Sequence, residues 1–97
     1  MSTRNQIKIF IVEDNDIYAM SLKSFLHTCF PDINEIKIFH LGELLLLEMN
    51  SNPDIIIMDY FLNTKYSEAN NGLEIIKQIK DNKPQTNIIV LSLSSII

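Results

Sequence analysis

Four side chains with chemical potential follow directly on apolar runs. Glu13 and Asp14 come after Ile9-Phe10-Ile11-Val12, Asp59 after Ile55-Ile56-Ile57-Met58, and Ser92 after Ile88-Ile89-Val90-Leu91. An ionised carboxylate at the mouth of a buried segment is costly without a cation or hydrogen-bond donors beside it. Three carboxylates brought together would raise one another's pKa unless a cation intervenes. Donors that are all oxygen suit Mg2+ or Mn2+ better than zinc, which favours His and Cys. A metal beside a carboxylate at a strand tip invites phosphoryl chemistry. The cation neutralises the phosphoryl oxygens while the carboxylate attacks in line to give an acyl phosphate. A hydroxyl at Ser92 would then contact a phosphoryl oxygen and report the modification. Each residue has a plainer reading. Asp59 alone could be a turn former, Glu13-Asp14 could be charges favoured by a helix dipole, and Ser92 alone carries almost no information. Their joint occurrence at matching positions is the functional signal.

The elements that must position these residues follow from the periodicity. Ile7 to Val12 is apolar and rich in β-branched residues, and it stops at Glu13-Asp14-Asn15-Asp16, as a buried strand ending in an acidic loop does. Tyr18, Leu22, Phe25, Leu26 and Cys29 then recur at helical spacing, with Asn15 or Asp16 as the N-cap and Pro31 as the stop. Cys29 is expected to be a small buried hydrophobe on that helix. Ile33 to Phe39 alternates as a more exposed strand, and Leu41 to Met49 reads as a Leu-rich helix closed by Asn50-Ser51-Asn52-Pro53. The run into Asp59 is bounded by Pro53 and suits a central strand covered on both faces. A polar loop from 63 to 72 precedes a helix marked by Leu73, Ile76 and Ile79, with Ile75 beside them. Asn87 to Ser92 is expected as a fourth buried strand. His27 falls within the first helix and His40 at the end of the second strand, and both read as surface residues rather than ligands.

Strands alternating with helices argue for βαβ units and an α/β, doubly wound parallel sheet. Ligands of such sheets bind beyond the C-terminal strand ends, which is where Glu13, Asp14, Asp59 and Ser92 fall. The 97 residues make one small domain with 46% apolar and 21% charged content, values of a globular chain rather than a disordered one. A formal charge of -4 with lysines and arginines scattered singly argues against direct binding of nucleic acid. No run is long enough for a transmembrane helix, and the polar start lacks a signal-peptide core. With a single cysteine and hence no internal disulfide, cytoplasmic residence is the simplest expectation.

With these pieces in order, the chain resembles the receiver domain of two-component response regulators. The resemblance rests on Ile9-Phe10-Ile11-Val12-Glu13-Asp14-Asn15, Pro53 to Asp59, Asn71-Gly72-Leu73-Glu74-Ile75-Ile76 and Ile88 to Ser92. It implies a flavodoxin-like fold with strand order 2-1-3-4 over residues 1–97. It implies Asp59 as phosphoacceptor from a histidine kinase or phosphotransfer protein. It also implies Mg2+ held directly by Asp14, mainly through water by Glu13, by Asp59 itself and by the main-chain carbonyl of Phe61, with Ser92 as the switch hydroxyl. Such a module signals rather than turning over substrate.

The sequence departs from the family in three ways. The loop between Asp59 and Gly72 is long and lacks the common proline, and Leu93 stands where a small residue is usual. The usual fourth helix, fifth strand with its lysine, and fifth helix have no counterpart before Ile97, so residues 1–97 are expected to be a C-terminally incomplete receiver without an effector domain, or else a fragment of a longer regulator. An open edge at the fourth strand would then invite a homodimer through that edge or an exchange of the Leu93–Ile97 segment. A pseudo-receiver used only for protein docking or dimerisation is the main alternative. A phosphatase or phosphomutase with an Asp nucleophile would want a second acid where Phe61 stands. A dinucleotide-binding enzyme would want glycines, not acids, after the first strand.

Overall fold

The computed structural model describes residues 6–59 and 72–91. Within them lie strands β1 (Ile7–Val12), β2 (Ile33–Phe39), β3 (Ile55–Asp59) and β4 (Asn87–Leu91). Helices α1 (Asp16–Cys29), α2 (Gly42–Leu46) and α3 (Gly72–Asn82) alternate with them. The strands are hydrogen-bonded in the order β2-β1-β3-β4, and all three pairings are parallel. This is the doubly wound, flavodoxin-like arrangement expected from the sequence.

The inner strands explain their unbroken apolar runs. Along β1, Phe10 and Val12 point to one core cluster while Ile9 and Ile11 point to the other. Along β3, Ile56 and Met58 join the first cluster and Ile57 the second. Successive side chains alternate faces, so only a strand covered on both sides can be apolar throughout. Leu22 and Leu26 of α1 pack on the second cluster, and Leu45 of α2 with Ile75 and Ile79 of α3 fill the first. β2 is more exposed: Ile33 and Ile36 join the second cluster and Phe39 the first, while Asn34, Glu35 and Lys37 face solvent.

Several elements differ from the sequence expectation. β4 is not a buried strand: it is the outermost strand of the described sheet, and Ile89 and Val90 are 48% and 43% exposed. α2 ends at Leu46 rather than Met49. The chain tightens into a 3-10 turn at Met49–Ser51 and reverses at Asn52, whose φ of 58° is left-handed. Asparagine tolerates that conformation better than most residues, and Pro53 follows to start the next segment. α3 buries Ile75 and Ile79, while Leu73 is exposed. α1 is rotated by about one position from the expected face. Ala19 is its buried contact, whereas Phe25 and Cys29 are exposed, so the expectation of a buried Cys29 is wrong.

α2 and α3 approach each other closely at Gly42. A Cβ there would lie 2.5 Å from Cγ1 and 2.8 Å from Cδ1 of Ile75, a side chain with no solvent exposure and no room to retreat. Gly42→Ala should therefore destabilise the protein by about 1–3 kcal/mol. In a domain of this size each kcal/mol lowers Tm by roughly 4–8 °C. Thermal unfolding checks it, and an unchanged Tm would mean that α2 can lift away from α3 freely.

Candidate functional site

The register of the inner strands brings the acids together. Val12 pairs with Met58, so the next residues, Glu13 and Asp59, come level at the C-terminal mouth of the sheet. The alternation that sends Ile11 and Ile57 to one face sends Glu13 and Asp59 to that face too. Glu13, Asp14 and Asp59 each offer a carboxylate oxygen, all within 4.8 Å of one another. Glu13 and Asp59 are buried, at 3% and 8% exposure, and Asp14 is half-buried.

Glu13 is held from both ends. Its main-chain N–H donates to the Phe39 carbonyl at 2.9 Å, which ties the acidic loop to the end of β2. Phe39 is itself fixed by an edge-on contact with Phe10, at 4.9 Å between ring centroids. The Glu13 carboxylate accepts from the Asn15 main-chain N–H at 3.1 Å. Asn15 caps α1, its side-chain oxygen accepting from the Tyr18 N–H at 2.9 Å. Of the two candidate caps it is thus Asn15 that serves, and Asp16 begins the helix. Asp16 bonds the ring of His40 across the top of α1. His27 and His40 are exposed as expected, although His40 borders the acidic loop more closely than its place in the sequence suggests.

Burial pushes the Glu13 carboxyl from its ordinary 4.5 up to about 7, and the nearby Asp59 and Asp14 carboxylates add to the rise. The Asn15 N–H works in the opposite direction. A glutamate that sits half protonated at neutral pH, against two other acids, has the donor set of a hard divalent cation. The residues present therefore fit Mg2+ or Mn2+ on their own chemistry.

Phe61 and Ser92 lie outside the described residues. The register does place Leu91 opposite Asp59. The Phe39 carbonyl and the Asn15 N–H were not foreseen. Both are main-chain groups, which carry no residue-type signal.

The comparisons agree with this geometry. The response regulator receiver domain family matches residues 9–96, and the chain belongs to that family. Receiver domains are signalling modules rather than turnover enzymes. Among solved structures, the MaeR response regulator bound to beryllium trifluoride superposes with a TM-score of 0.76 at 16% identity. That match covers 90% of this chain and 67% of MaeR. The non-phosphorylated receiver domain of the stress response regulator RcsB from Escherichia coli gives a TM-score of 0.75 at 25% identity, covering 90% of this chain and 65% of that one. RcsB from Salmonella typhimurium gives 0.78 at 24% identity, covering 93% of this chain and 43% of its own length. The chain thus spans between two fifths and about two thirds of these proteins. A comparison with curated proteins gave no match. Among the described residues no helix is long and apolar enough to cross a membrane.

Proposed function

We propose that residues 1–97 act as one phosphoacceptor module, which takes a phosphoryl group onto Asp59 from a histidine kinase or a phosphotransfer protein. The observation that carries this reading is the convergence of Glu13, Asp14 and Asp59 within 4.8 Å at the mouth of the two inner strands. Beryllium trifluoride on the similarly folded MaeR lends support, since it is used as a phosphomimetic on RcsB.

The Asp59 carboxylate is the nucleophile. One of its oxygens bonds to phosphorus as the donor's phosphorus–nitrogen bond breaks, and the departing histidine nitrogen gains a proton. β3 fixes the carboxylate's position, and burial keeps it free of competing bulk water. Asp14 would hold Mg2+ or Mn2+ directly and Glu13 through water, with the Phe61 carbonyl completing the protein ligands. The bound cation supplies neutralising charge for the phosphoryl oxygens. Ser92 is the proposed switch, its hydroxyl turning to the modified Asp59.

Incubation with acetyl phosphate and Mg2+ tests the reading by intact-mass spectrometry. The expected result is addition of one phosphoryl group, lost on mild alkaline treatment as an acyl phosphate is. No adduct at any Mg2+ concentration would leave a docking module without phosphorylation as the better account.

A further inference from the structure

The geometry points to Asn15 as a positioning residue that aims the Glu13 carboxylate by coupling it to the first turn of α1. This rests on the proposed role of Glu13 beside the cation.

Three bonds converge on Asn15. Its N–H donates to Glu13 Oε2 at 3.1 Å, its side-chain Oδ1 accepts from the Tyr18 N–H at 2.9 Å, and its carbonyl accepts from the Ala19 N–H at 3.0 Å. The last two lock residue 15 in the extended conformation (φ -96°, ψ 113°) that an N-cap requires. That conformation in turn sets the direction of its N–H. The helix cannot slide to accommodate a different aim, because Ala19 is wedged into the core at 1% exposure.

A glutamate has three rotatable side-chain bonds, and its carboxylate needs a fixed donor to hold one orientation. The Asn15 N–H is such a donor, and it is joined to a rigid element. An exposed residue thereby orients a buried one. A capping residue with no other role would stabilise α1 and leave the acidic site indifferent to it. The two roles separate experimentally because the donor belongs to the main chain while the cap belongs to the side chain.

Three variants separate them. Asn15→Ala removes the cap and keeps the N–H, Asn15→Ser keeps both, and Ser24→Gly weakens the exposed middle of the same helix. Asn15→Ala and Ser24→Gly should each lower Tm by about 2–8 °C. Calorimetric titration with MgCl2 should show Kd raised about tenfold in Asn15→Ala alone, the lower end for loss of a group that orients a metal ligand. Asn15→Ser should stay near the parent value. The second readout needs no metal: the Glu13 carboxyl carbon resonance should move in Asn15→Ala and stay in place in Ser24→Gly. Equal Mg2+ affinity in Asn15→Ala and Ser24→Gly, or an unmoved Glu13 resonance, would overturn the proposal. Should the parent bind no Mg2+, the proposed function fails, and the Glu13 resonance alone still decides the role of Asn15.

Discussion

Asp59→Asn should take up no phosphoryl group at all and yet melt at a higher temperature than the parent when metal is absent. The loss follows from chemistry: an amide is no nucleophile towards phosphorus, and Glu13 and Asp14, at the end of the neighbouring β1, are the proposed cation ligands. The gain follows from electrostatics. Asp59 is 8% exposed, and its carboxylate is among the causes that raise Glu13. With ligand atoms within 4.8 Å, removal of one like charge relieves repulsion worth on the order of 1–3 kcal/mol. Glu13 should titrate lower as a result. Intact-mass measurement after acetyl phosphate treatment checks the first half, and thermal melts in EDTA check the second. A variant that melts lower than the parent would show that the Asp59 carboxylate contributes more through its own hydrogen bonds than it costs in repulsion.

Mg2+ affinity should climb about tenfold between pH 6 and pH 8, because the glutamate that must be anionic for the cation titrates at about 7. The linked effect on stability has the opposite direction. Glu13 is raised from 4.5 in the unfolded chain to about 7 in the fold, so the metal-free folded state binds the extra proton. The stabilisation from this group is therefore fully present below about pH 4.5 and is lost as pH rises to about 7. Above that it costs the fold on the order of a few kcal/mol relative to acid conditions. Bound Mg2+ removes the cost by taking the place of the proton. Calorimetry in two buffers of different ionisation enthalpy counts the proton released, and melts across this pH range with and without MgCl2 follow the stability. A Kd that is equal at pH 6 and pH 8 would place the titrating glutamate outside the metal site.

The apolar runs Ile9–Val12 of β1 and Ile55–Met58 of β3 were legible because a segment buried on both faces has no polar position to confuse the reading. The acidic site was legible for a related reason. Glu13 and Asp59 end runs of the same kind, so parallel neighbours had to bring them level. α1 was read one step out of phase because Ala19, its deepest residue, is small and carries little hydrophobic weight. Phe25 and Cys29 outweighed it in the pattern while facing solvent. β4 was misread for a different reason. Burial of a strand depends on what lies beside it, and nothing in Asn87-Ile88-Ile89-Val90-Leu91 reports its outer place in the described sheet. The Asn15 N–H and the Phe39 carbonyl were out of reach, since every residue but proline has both groups.

The order β2-β1-β3-β4 puts both acid-bearing strands on the inside. Displacing the end of β1 or β3 means opening ladders on two sides at once, whereas β2 and β4 each part from a single neighbour among the described strands. Local opening is least costly where the fewest bonds must break. Asp59, the proposed acceptor, therefore rests on the most firmly paired strands among the described residues, and the edges of the described sheet open more readily. A phosphoryl group added at Asp59, as proposed, would meet an anvil, and among the described strands the ones free to yield to it are β2 and β4.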